Sequence, residues 1–398
     1  MDILPILRAL VRSKTGAILI GLQIALTLAM LCNSLSIILQ FGERMRQPAG
    51  IDEANIFILQ TAYVDDPPDI KARLQGDLAA LRALPGVIDA DTSITLPLLG
   101  YGYNEGLGLK PDQKFPTATA NVYHVTDHGL ATYGLKLLAG RWFHPDEVID
   151  LRFYANVAPA SIVVTRELAR TLFPAGNALG QQVWFSPTQS SRIIGVVDSV
   201  AGPQRGGSES MYLPEIPLNK SANYVVRTRP GMQAAAMRAA PDRLYRLVND
   251  RIIRQVLPFS GIRQRTFQLD RTVSIVLAVV CALLLVVTAC GIVGLTMYWV
   301  ARRRRQIGMR RALGARRIDI LAYFHTENLL IAGAGVALGI GLALAANLWL
   351  ARSMELTRVS AVYVCGGALL VLALCQLAVL WPALRAASIP PAVATRAS

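Results

Sequence analysis

Four long apolar runs alternate with polar sequence and set the outline of the chain. The first lies near the N-terminus, and the other three lie in the last third of the chain. Each is at least as long as the roughly 20 residues that an α-helix needs to cross the hydrocarbon core of a bilayer. We predict transmembrane helices at residues 17–41, 269–300, 319–350 and 359–381.

Residues 42–268 contain no apolar run of that length and carry proline, glycine and charged residues as a soluble domain does. Apolar residues at helical spacing predict an amphipathic helix from Pro67 to Leu84. Strand patterns flank this helix at Asn55–Tyr63 and Val87–Leu96. The pattern predicts one large α+β domain and leaves open its division into two small subdomains.

A second strand and helix pattern follows in the same domain. Ser161–Thr165 is predicted to be a strand that runs into a helix at Arg166–Phe173. Gln182–Phe185 and Arg192–Val197 have the pattern of two paired strands. The overall prediction is therefore an α-helical membrane domain of four helices with a large α+β domain between the first and second.

The remaining segments are predicted to be connections. Residues 1–16 mix arginine with leucine and isoleucine, which predicts a helix at the cytoplasmic membrane interface. Glycine and proline mark two further stretches as loops or insert boundaries. The predicted connections are residues 1–16, Leu98–Pro116, Val200–Gly207, the cytoplasmic segment 301–318, the periplasmic loop 351–358 and the cytoplasmic tail 382–398.

The stretch Arg302–Arg317 separates the second and third apolar runs and reads RRRRQIGMRRALGARR, with eight arginines in sixteen residues. Arginine-rich loops stay on the cytoplasmic side of a membrane, so we expect both termini in the cytoplasm and the large domain outside. Met309, Ala312 and Leu313 share one side at helical spacing, which predicts a short amphipathic helix interrupted near Gly314. A solvated basic anchor that only orients the helices is the alternative.

Composition narrows the class of protein. The chain is 53% hydrophobic and has a formal net charge of +14, a balance typical of a polytopic membrane protein with a sizeable soluble portion. The arginines flank apolar runs without interleaved aromatic residues, so no nucleic-acid binding is predicted. All the cysteines lie in apolar runs, which excludes a disulfide framework and favours buried thiols. These cysteines are Cys32, Cys281, Cys290, Cys365 and Cys375.

The sequence contains no motif for nucleotide hydrolysis or other catalysis. No G-x-x-x-x-G-K-[ST] phosphate loop occurs, so we predict that the chain binds no ATP or Mg directly. His124 and His128 could share one helical face and hold a metal. An ordinary surface pair is favoured, because no second pair of ligands lies at metal-site spacing. We predict no catalytic, cofactor or metal site in this chain.

The third apolar run contains ionisable and small residues. Glu327 and His325 lie at its entrance, where pairing with an arginine of the preceding stretch is favoured over interfacial solvation. Gly335 and Gly339 form one small-residue row and Gly341 belongs to another, and such rows let helices approach closely. The alternative is that glycine is simply common in membrane spans.

The order of one span, a large outside domain and three spans resembles the MacB/FtsX-type permeases of ABC transporters. Val300–Leu330 is similar to the family's cytoplasmic E-I-G-x-R-R-A-x-G-A segment and to the start of the next span with its glutamate. Gly134–Phe143 and Ser161–Val183, closing with Ile194–Val197, resemble the MacB-type periplasmic core pattern. Pro382–Arg396 is similar to the family's P-A-x-R-A-A-x-x-x-P-x-x-A-x-R ending.

The resemblance implies a coupling helix that sits in a groove of an ATPase subunit. Two ATPase copies would bind ATP and Mg, and the permease chain would pair with an identical or homologous permease. MacB itself carries an ATPase domain before its membrane helix, so here we expect a separately encoded ATPase. Gln306 stands where the family usually has Glu. The coupling residues implied are Arg305, Gln306, Ile307, Gly308, Met309, Arg310, Arg311, Ala312, Leu313, Gly314 and Ala315.

The resemblance leaves three functions open. The leading hypothesis is the permease of an inner-membrane exporter that uses its outside domain to move antibiotics, peptides or other amphipathic substrates. In a Gram-negative cell, a periplasmic adaptor and an outer-membrane duct would be natural partners, besides membrane lipid. The alternatives are an FtsX-like regulator of a cell-wall hydrolase and a permease that extracts lipoproteins.

Overall fold

The computed structural model describes residues 14–65, 67–99, 102–151, 158–202, 207–312, 314–354 and 361–388. The chain divides into two units, which we call the membrane unit (Met1–Glu43 with Asp270–Ser398) and the extramembrane domain (Arg44–Leu269). A short 3₁₀ turn, Pro145–Glu147, adds to the helices and strands. In chain order these are α1 (Lys14–Arg46), β1 (Ile56–Tyr63), α2 (Ile70–Arg82), β2 (Val87–Thr92), β3 (Tyr103–Leu107), β4 (Ala118–Val125), α3 (Gly129–Tyr133), β5 (Leu137–Gly140), β6 (Ile149–Leu151), β7 (Ser161–Thr165), α4 (Arg166–Leu172), β8 (Gln182–Ser186), β9 (Gln189–Val197), β10 (Ser210–Pro217), β11 (Ser221–Thr228), α5 (Gln233–Leu247), β12 (Arg251–Pro258), α6 (Phe259–Thr266), α7 (Gln268–Arg302), α8 (Arg304–Ala312), α9 (Arg317–Met354) and α10 (Ala361–Ala387).

Four helices, α1, α7, α9 and α10, are long and apolar enough to cross a membrane. Their outward faces expose large apolar side chains such as Leu283 and Leu377, which suits contact with lipid tails. Their inward faces form one apolar cluster around residues such as Ile24 and Val371. The prediction of four transmembrane helices with an α+β domain between the first and second is confirmed.

A four-stranded antiparallel sheet forms one layer of the extramembrane domain, in the order β12-β1-β11-β2. α2 and α5 pack their apolar faces on it, with Leu74 and Leu244 fully buried among the sheet residues. α2 begins after Asp69, whose carboxylate accepts a hydrogen bond from the Ala72 N–H at 2.9 Å. This N-cap satisfies a backbone donor at the start of the helix. The helix predicted within Pro67–Leu84 is therefore confirmed.

The second sheet of the domain has eight strands and mixed directions. Its main order is β3-β4-β10-β7-β9-β5, with β6 paired to β10 and β8 paired to β9. β4 and β7 run parallel to β10 and β9, respectively. A shared apolar core contains residues of both sheets, among them Ile58 and Tyr212. The two predicted strands after Gln182 do pair, antiparallel, as β8 and β9.

Leu98–Pro116, predicted to be a loop or an insert boundary, contains a strand at Tyr103–Leu107 that the sequence pattern did not predict. These residues form the edge strand β3, which pairs antiparallel with β4. Most of the strand is exposed, so it lacks the buried alternation that identifies a strand in sequence. A Cβ atom at Gly106 would lie 3.0 Å from the Cβ of Pro116, so a larger residue here would crowd that proline. Parts of other predicted segments lie outside the described residues, namely 1–13, 203–206, 355–360 and 389–398.

A buried ion pair ties α2 to β12. Arg251 Nη1 donates to Asp77 Oδ2 at 2.5 Å, and both side chains are almost fully buried. The same oxygen accepts from the hydroxyls of Tyr63 at 3.0 Å and Tyr224 at 2.6 Å. Burial raises the pKa of Tyr63 to about 12 and the pKa of Tyr224 well above its usual value, so both tyrosines stay protonated donors. Such pairs are costly to break, because the remaining charge is left without compensation.

Glu147 is expected to make the domain sensitive to acid. Its carboxylate accepts hydrogen bonds from Arg141 Nη1 at 2.6 Å, from Ser161 Oγ at 3.1 Å and from the His144 N–H at 2.8 Å. The hydrogen bond from Arg141, followed by the others, lowers the pKa of Glu147 from 4.5 to about 2. The unfolded state therefore takes up this proton first. The stabilisation is fully present above pH 4.5 and is lost as the pH falls toward 2.

The measurement is the thermal unfolding midpoint of the full chain in lipid nanodiscs between about pH 5 and pH 3, the window in which the unfolded-state carboxyl titrates. Glu147→Gln should flatten the fall of the midpoint with decreasing pH. Glu105→Gln is the control, because Glu105 is exposed on β3, and it should keep the wild-type slope. Equal slopes for all three proteins would contradict the assignment.

Candidate coupling site

The arginine-rich stretch forms the helix α8, which lies between two membrane-spanning helices in the chain. The Arg303 N–H donates to the Trp299 carbonyl at 3.0 Å, and the Ile307 N–H donates to the Arg303 carbonyl at 2.9 Å. Helical hydrogen bonding therefore continues through the junction of α7 and α8. The predicted short helix with an interruption near Gly314 is present.

Gly314 and Asp319 define the turn from α8 into α9. Gly314 has a φ of +97°, a conformation that side chains with a Cβ disfavour. Asp319 then caps the start of α9, because its Oδ2 accepts a hydrogen bond from the Arg316 N–H at 2.9 Å. In return the Asp319 N–H donates to the Arg316 carbonyl at 3.1 Å. The Asp319 carboxylate thus satisfies a backbone donor at the start of α9.

The two large apolar side chains described on α8 point in different directions. Ile307 is only 7% exposed and belongs to the apolar core of the membrane unit, whereas Met309 is 56% exposed. Of these two implied coupling residues, Met309 is therefore the one whose side chain is open to a partner, whereas Ile307 packs within the chain. Residues two apart on a helix are separated by about 200° of rotation, so the two side chains cannot face the same side.

A buried ion pair connects the α7–α8 junction to α9. Arg303 Nη1 donates to Glu327 Oε1 at 3.1 Å and to Oε2 at 3.0 Å. It also donates to the hydroxyl of Tyr323 at 3.1 Å. The Glu327 side chain is 1% exposed and that of Arg303 is 19% exposed. The structure thus shows Glu327 paired with an arginine rather than solvated at the interface.

His325 does not share this ion pair, although the sequence grouped it with Glu327. Its Nδ1 lies 2.8 Å from Oε1 of Gln376 on α10. The His325 ring therefore contacts α10, while Glu327 contacts the α7–α8 junction. Residues two apart on one helix again face different neighbours.

A cavity of about 220 Å³ lies beside α8 and the first turns of α9. Arg303 and Gln306 supply polar groups to its wall, and Ile307 and Phe324 supply apolar ones. Ala315 also lines it. Beside this space, Ile307 packs in the apolar core of the membrane unit, and Arg303, just before α8, pairs with Glu327.

The other predicted coupling residues surround this arrangement. Gln306 and Ala312 are exposed, Gly308 is buried, and Gly314 is exposed at the turn. The backbone of α8 includes Arg305, Arg310 and Arg311, whose side chains lie outside the described part of the structure, as does residue Leu313.

The small residues of α9 fall on two different faces. A Cβ atom at Gly335 would lie 2.8 Å from the Gly21 carbonyl oxygen, and one at Gly339 would lie 2.9 Å from the Ala25 carbonyl oxygen. At Gly341 no atom lies within 4 Å of such a Cβ. Gly335 and Gly339 therefore approach α1 closely, whereas Gly341 meets no other helix in the part of the chain that the structure describes.

Polar side chains also bridge the spanning helices, and the sequence reasoning missed most of them. The hydroxyls of Thr27 and Thr288 lie 2.9 Å apart between α1 and α7. Asn33 Nδ2 donates to the Ala343 carbonyl at 3.3 Å, and Asn328 Nδ2 donates to the Cys375 carbonyl at 3.0 Å. Asparagine within an apolar run is the signal that could have identified these positions, because a buried amide needs a partner.

The two histidines considered as a metal pair have separate carboxylate partners. His124 lies on β4, where its Nδ1 is 2.7 Å from Glu215 Oε2, and both side chains are buried. His128 Nδ1 lies 2.9 Å from Asp89 Oδ1. The two histidines do not share a helical face, and His124 is not the surface residue that was favoured. No cluster of three or more metal-ligating side chains occurs in the described residues.

Comparison with known families matches the chain in two parts. Residues 18–244 match the model described as MacB-like periplasmic core domain. Residues 278–391 match the model described as FtsX-like permease C-terminal. The first match alone covers more than half of the chain, and the second covers the coupling site, most of α7 and the last two spanning helices.

Curated relatives include proteins called macrolide export ATP-binding/permease protein MacB. The one from Chromobacterium violaceum is 26% identical over 284 residues, and the one from Escherichia coli strain K12 is 25% identical over 286 residues. Each alignment covers 69% of this chain and 41% of the relative. The chain thus spans about two fifths of the length of these relatives.

Two solved structures are similar to parts of the chain. The periplasmic region of MacB from Actinobacillus actinomycetemcomitans has 18% identity and a TM-score of 0.35, covering 56% of this chain and 97% of that one. The extracellular domain of the noncanonic ABC-type transporter YknZ from Gram-positive bacteria has 16% identity and a TM-score of 0.32. That match covers 50% of this chain and 100% of the other.

Proposed function

Because the chain belongs to the MacB/FtsX-type family of ABC permeases, we propose that it is the permease subunit of a MacB-like exporter in the bacterial inner membrane. Both termini would be cytoplasmic, as the arginine-rich stretch requires by the positive-inside rule. The extramembrane domain would then lie in the periplasm. The substrates would be antibiotics, peptides or other amphipathic molecules.

The observation that carries this proposal is the way α8 is joined to its neighbours. Ile307 anchors it in the apolar core, and Arg303 at its start is bonded to Glu327 on α9. Met309 on the opposite side is exposed. A helix with one anchored face and one open face can receive a push from an ATPase and pass it to α7 and α9.

We propose mechanotransmission on this basis. ATP-driven closure of two ATPase subunits displaces α8, and the anchored contacts carry the displacement into the spanning helices. α1 and α7 continue in sequence into the extramembrane domain, so their motion moves that domain. Substrate in this scheme need not pass through the centre of the bilayer.

The ATPase belongs, in this proposal, to a partner chain. These 398 residues contain no phosphate loop, so the groups that bind ATP and Mg have to come from elsewhere. The assembly would contain two ATPases and a second permease chain, identical or homologous. A periplasmic adaptor and an outer-membrane duct would complete an efflux pathway.

Met309→Asp tests the coupling assignment. If Met309 packs in an ATPase groove, an aspartate there loses apolar burial and places a charge in the contact, so ATPase binding should weaken at least about tenfold. The measurement is co-purification of the tagged full chain from solubilised membranes, with mass-spectrometric counting of the ATPase.

Leu138→Asp is the matched control, because Leu138 is 40% exposed but lies on β5 of the extramembrane domain. That variant should retain the ATPase. Undiminished ATPase recovery with Met309→Asp would remove Met309 from the interface. The other co-purified proteins separate the functions: an adaptor supports export, whereas a cell-wall hydrolase supports the FtsX-like regulator.

A further inference from the structure

One polar side chain inside a membrane span, Gln23 on α1, has no role in the coupling proposal. At 1.5 Å per residue it lies about 13 Å along the helix axis from Lys14, where α1 begins. A side chain at that depth is surrounded by lipid tails and other helices, without water to bond it. The hydrogen bonds of its amide therefore have to come from protein groups.

The other primary amides of the four spanning helices have partners within the chain. Gln40, for example, donates to Ser36 Oγ at 3.0 Å within α1. Gln23 is the exception, because it makes no hydrogen bond to any residue that the structure describes. The amides that do have partners are Asn33, Gln40, Gln268, Asn328, Asn347 and Gln376.

The Gln23 amide lies at the surface of the helix bundle, beside α7. The side chain is half-buried, and its amide atoms retain exposed surface. A Cβ atom at Gly291 of α7 would lie 2.9 Å from Gln23 Oε1 and 3.4 Å from Nε2, so the amide rests on a residue without a side chain. Three residues further on, Gly294 is exposed, and no atom lies within 4 Å of a Cβ there. The surface of α7 beside Gln23 thus leaves room for another helix.

The chemistry of a primary amide indicates which helix that is. An amide both donates and accepts hydrogen bonds, so it is complementary to itself. In a two-fold symmetric pair of chains, each Gln23 Nε2 can donate to the Gln23 Oε1 of the other copy. A charged partner at this depth would itself be costly to bury in lipid, whereas a second amide adds no charge.

We propose that two identical copies of this chain meet at α1 and that their Gln23 amides hydrogen-bond to each other across a two-fold axis. The inference rests on the proposed function in requiring a second permease chain. It goes further, because it states that this chain is identical and names the residue at the contact. Hydrogen bonds between polar side chains are one of the forces that associate helices in lipid.

Cysteine cross-linking tests the position of the contact. The background variant Cys290→Ser/Cys365→Ser removes the two exposed native thiols of the described residues. Gln23→Cys is added to this background, and membranes that contain the full chain are oxidised with copper phenanthroline. We expect a disulfide-linked dimer, because a two-fold contact at this residue brings the two thiols within bonding reach.

Leu22→Cys in the same background is the matched control. Leu22 is 46% exposed and lies at nearly the same depth, but it points about 100° away around the helix. This variant should stay largely monomeric under the same oxidation. Equal cross-linking of the two variants, or no cross-linking of Gln23→Cys, would overturn the proposal.

Gln23→Met tests whether the amide itself stabilises the pair. Energy transfer between two labelled populations of the full chain in liposomes, diluted stepwise with lipid, measures their association. A hydrogen bond between membrane helices changes the association constant by about threefold to thirtyfold, so we expect a loss in that range. Gln40→Met is the control, because Gln40 has its partner within α1, and it should associate as the wild type does. Undiminished association of Gln23→Met would contradict the role of the amide.

Co-expression of the chain with two different tags identifies the partner. Recovery of the second tag with the first is the expected result. Recovery of a homologous permease without a second copy of this chain would overturn the inference and leave the proposed permease function intact. A cross-linked Gln23→Cys dimer that recovers no ATPase would instead contradict the proposed function and leave this contact standing.

Discussion

Replacing Arg303 with methionine is expected to destabilise the membrane unit and to abolish ATP-dependent function. The substitution leaves the Glu327 carboxylate 1% exposed and without its arginine. Removing one partner of a buried ion pair typically costs about 3–5 kcal/mol, because the other charge stays buried without compensation. The measurement is thermal unfolding of the full chain in nanodiscs, followed by ATP-dependent activity of the co-purified assembly.

Arg302→Met is the control, because it removes the arginine next to Arg303 in the sequence. Arg302 is exposed, and its guanidinium lies 5.5 Å from the centre of the Tyr298 ring. An exposed cation–π contact contributes only about 0.5–1 kcal/mol, so this variant should unfold close to the wild-type temperature. A wild-type unfolding temperature for Arg303→Met would show that the ion pair does not hold α8 to α9.

The double variant Arg303→Met/Glu327→Met separates stability from coupling. Apolar replacement of both members of a buried pair is often neutral or stabilising, so the double variant should recover most of the lost unfolding temperature. The directional hydrogen bonds from the α7–α8 junction to α9 would still be absent. Recovery of stability without recovery of ATP-dependent function would therefore support a coupling role, and recovery of both would contradict it.

Replacing Gly339 with leucine is expected to separate α9 from α1. The first added atom alone would lie 2.9 Å from the Ala25 carbonyl oxygen and 3.0 Å from the Ala25 Cα. Backbone atoms on a packed helix cannot move aside as a flexible side chain can, so the whole helix has to shift. Overpacking of this kind costs about 1–3 kcal/mol or more, and we expect a clear fall in the unfolding temperature of the full chain.

Gly341→Leu is a matched control on the same helix. No atom lies within 4 Å of a Cβ at Gly341, so this leucine should be accommodated without loss of stability. Gly335→Leu should behave as Gly339→Leu does, because its Cβ would meet the Gly21 carbonyl oxygen at 2.8 Å. Equal stability of all three variants would show that close approach of α1 and α9 does not hold the bundle together.

Much of the outline could be predicted from sequence, because it depends on periodicity over neighbouring residues. The four spanning helices are uninterrupted apolar runs, and α2 and β7 show clear helical or strand patterns. The edge strand β3 was missed, since its exposed side chains carry no burial pattern and its pairing depends on β4, more than ten residues away in the chain.

The candidate site was located from sequence only in part. The order of arginine, apolar and glycine residues identified α8 and its interruption at Gly314. Which apolar residue faces inward could not be read from spacing alone, and Ile307 proved to be part of the core. Likewise, Gly339 and Gly341 are both small residues at regular spacing, but only Gly339 touches α1.

The sequence by itself determined where the chain is apolar enough to enter a membrane and where its positive charge is concentrated, because both depend on residue type and local order. The tertiary structure decided which arginine pairs with Glu327, which glycine meets another helix and which polar side chains surround a common cavity. Those properties depend on the rotation of each helix or strand relative to its neighbours, and that rotation is set by packing between residues distant in sequence.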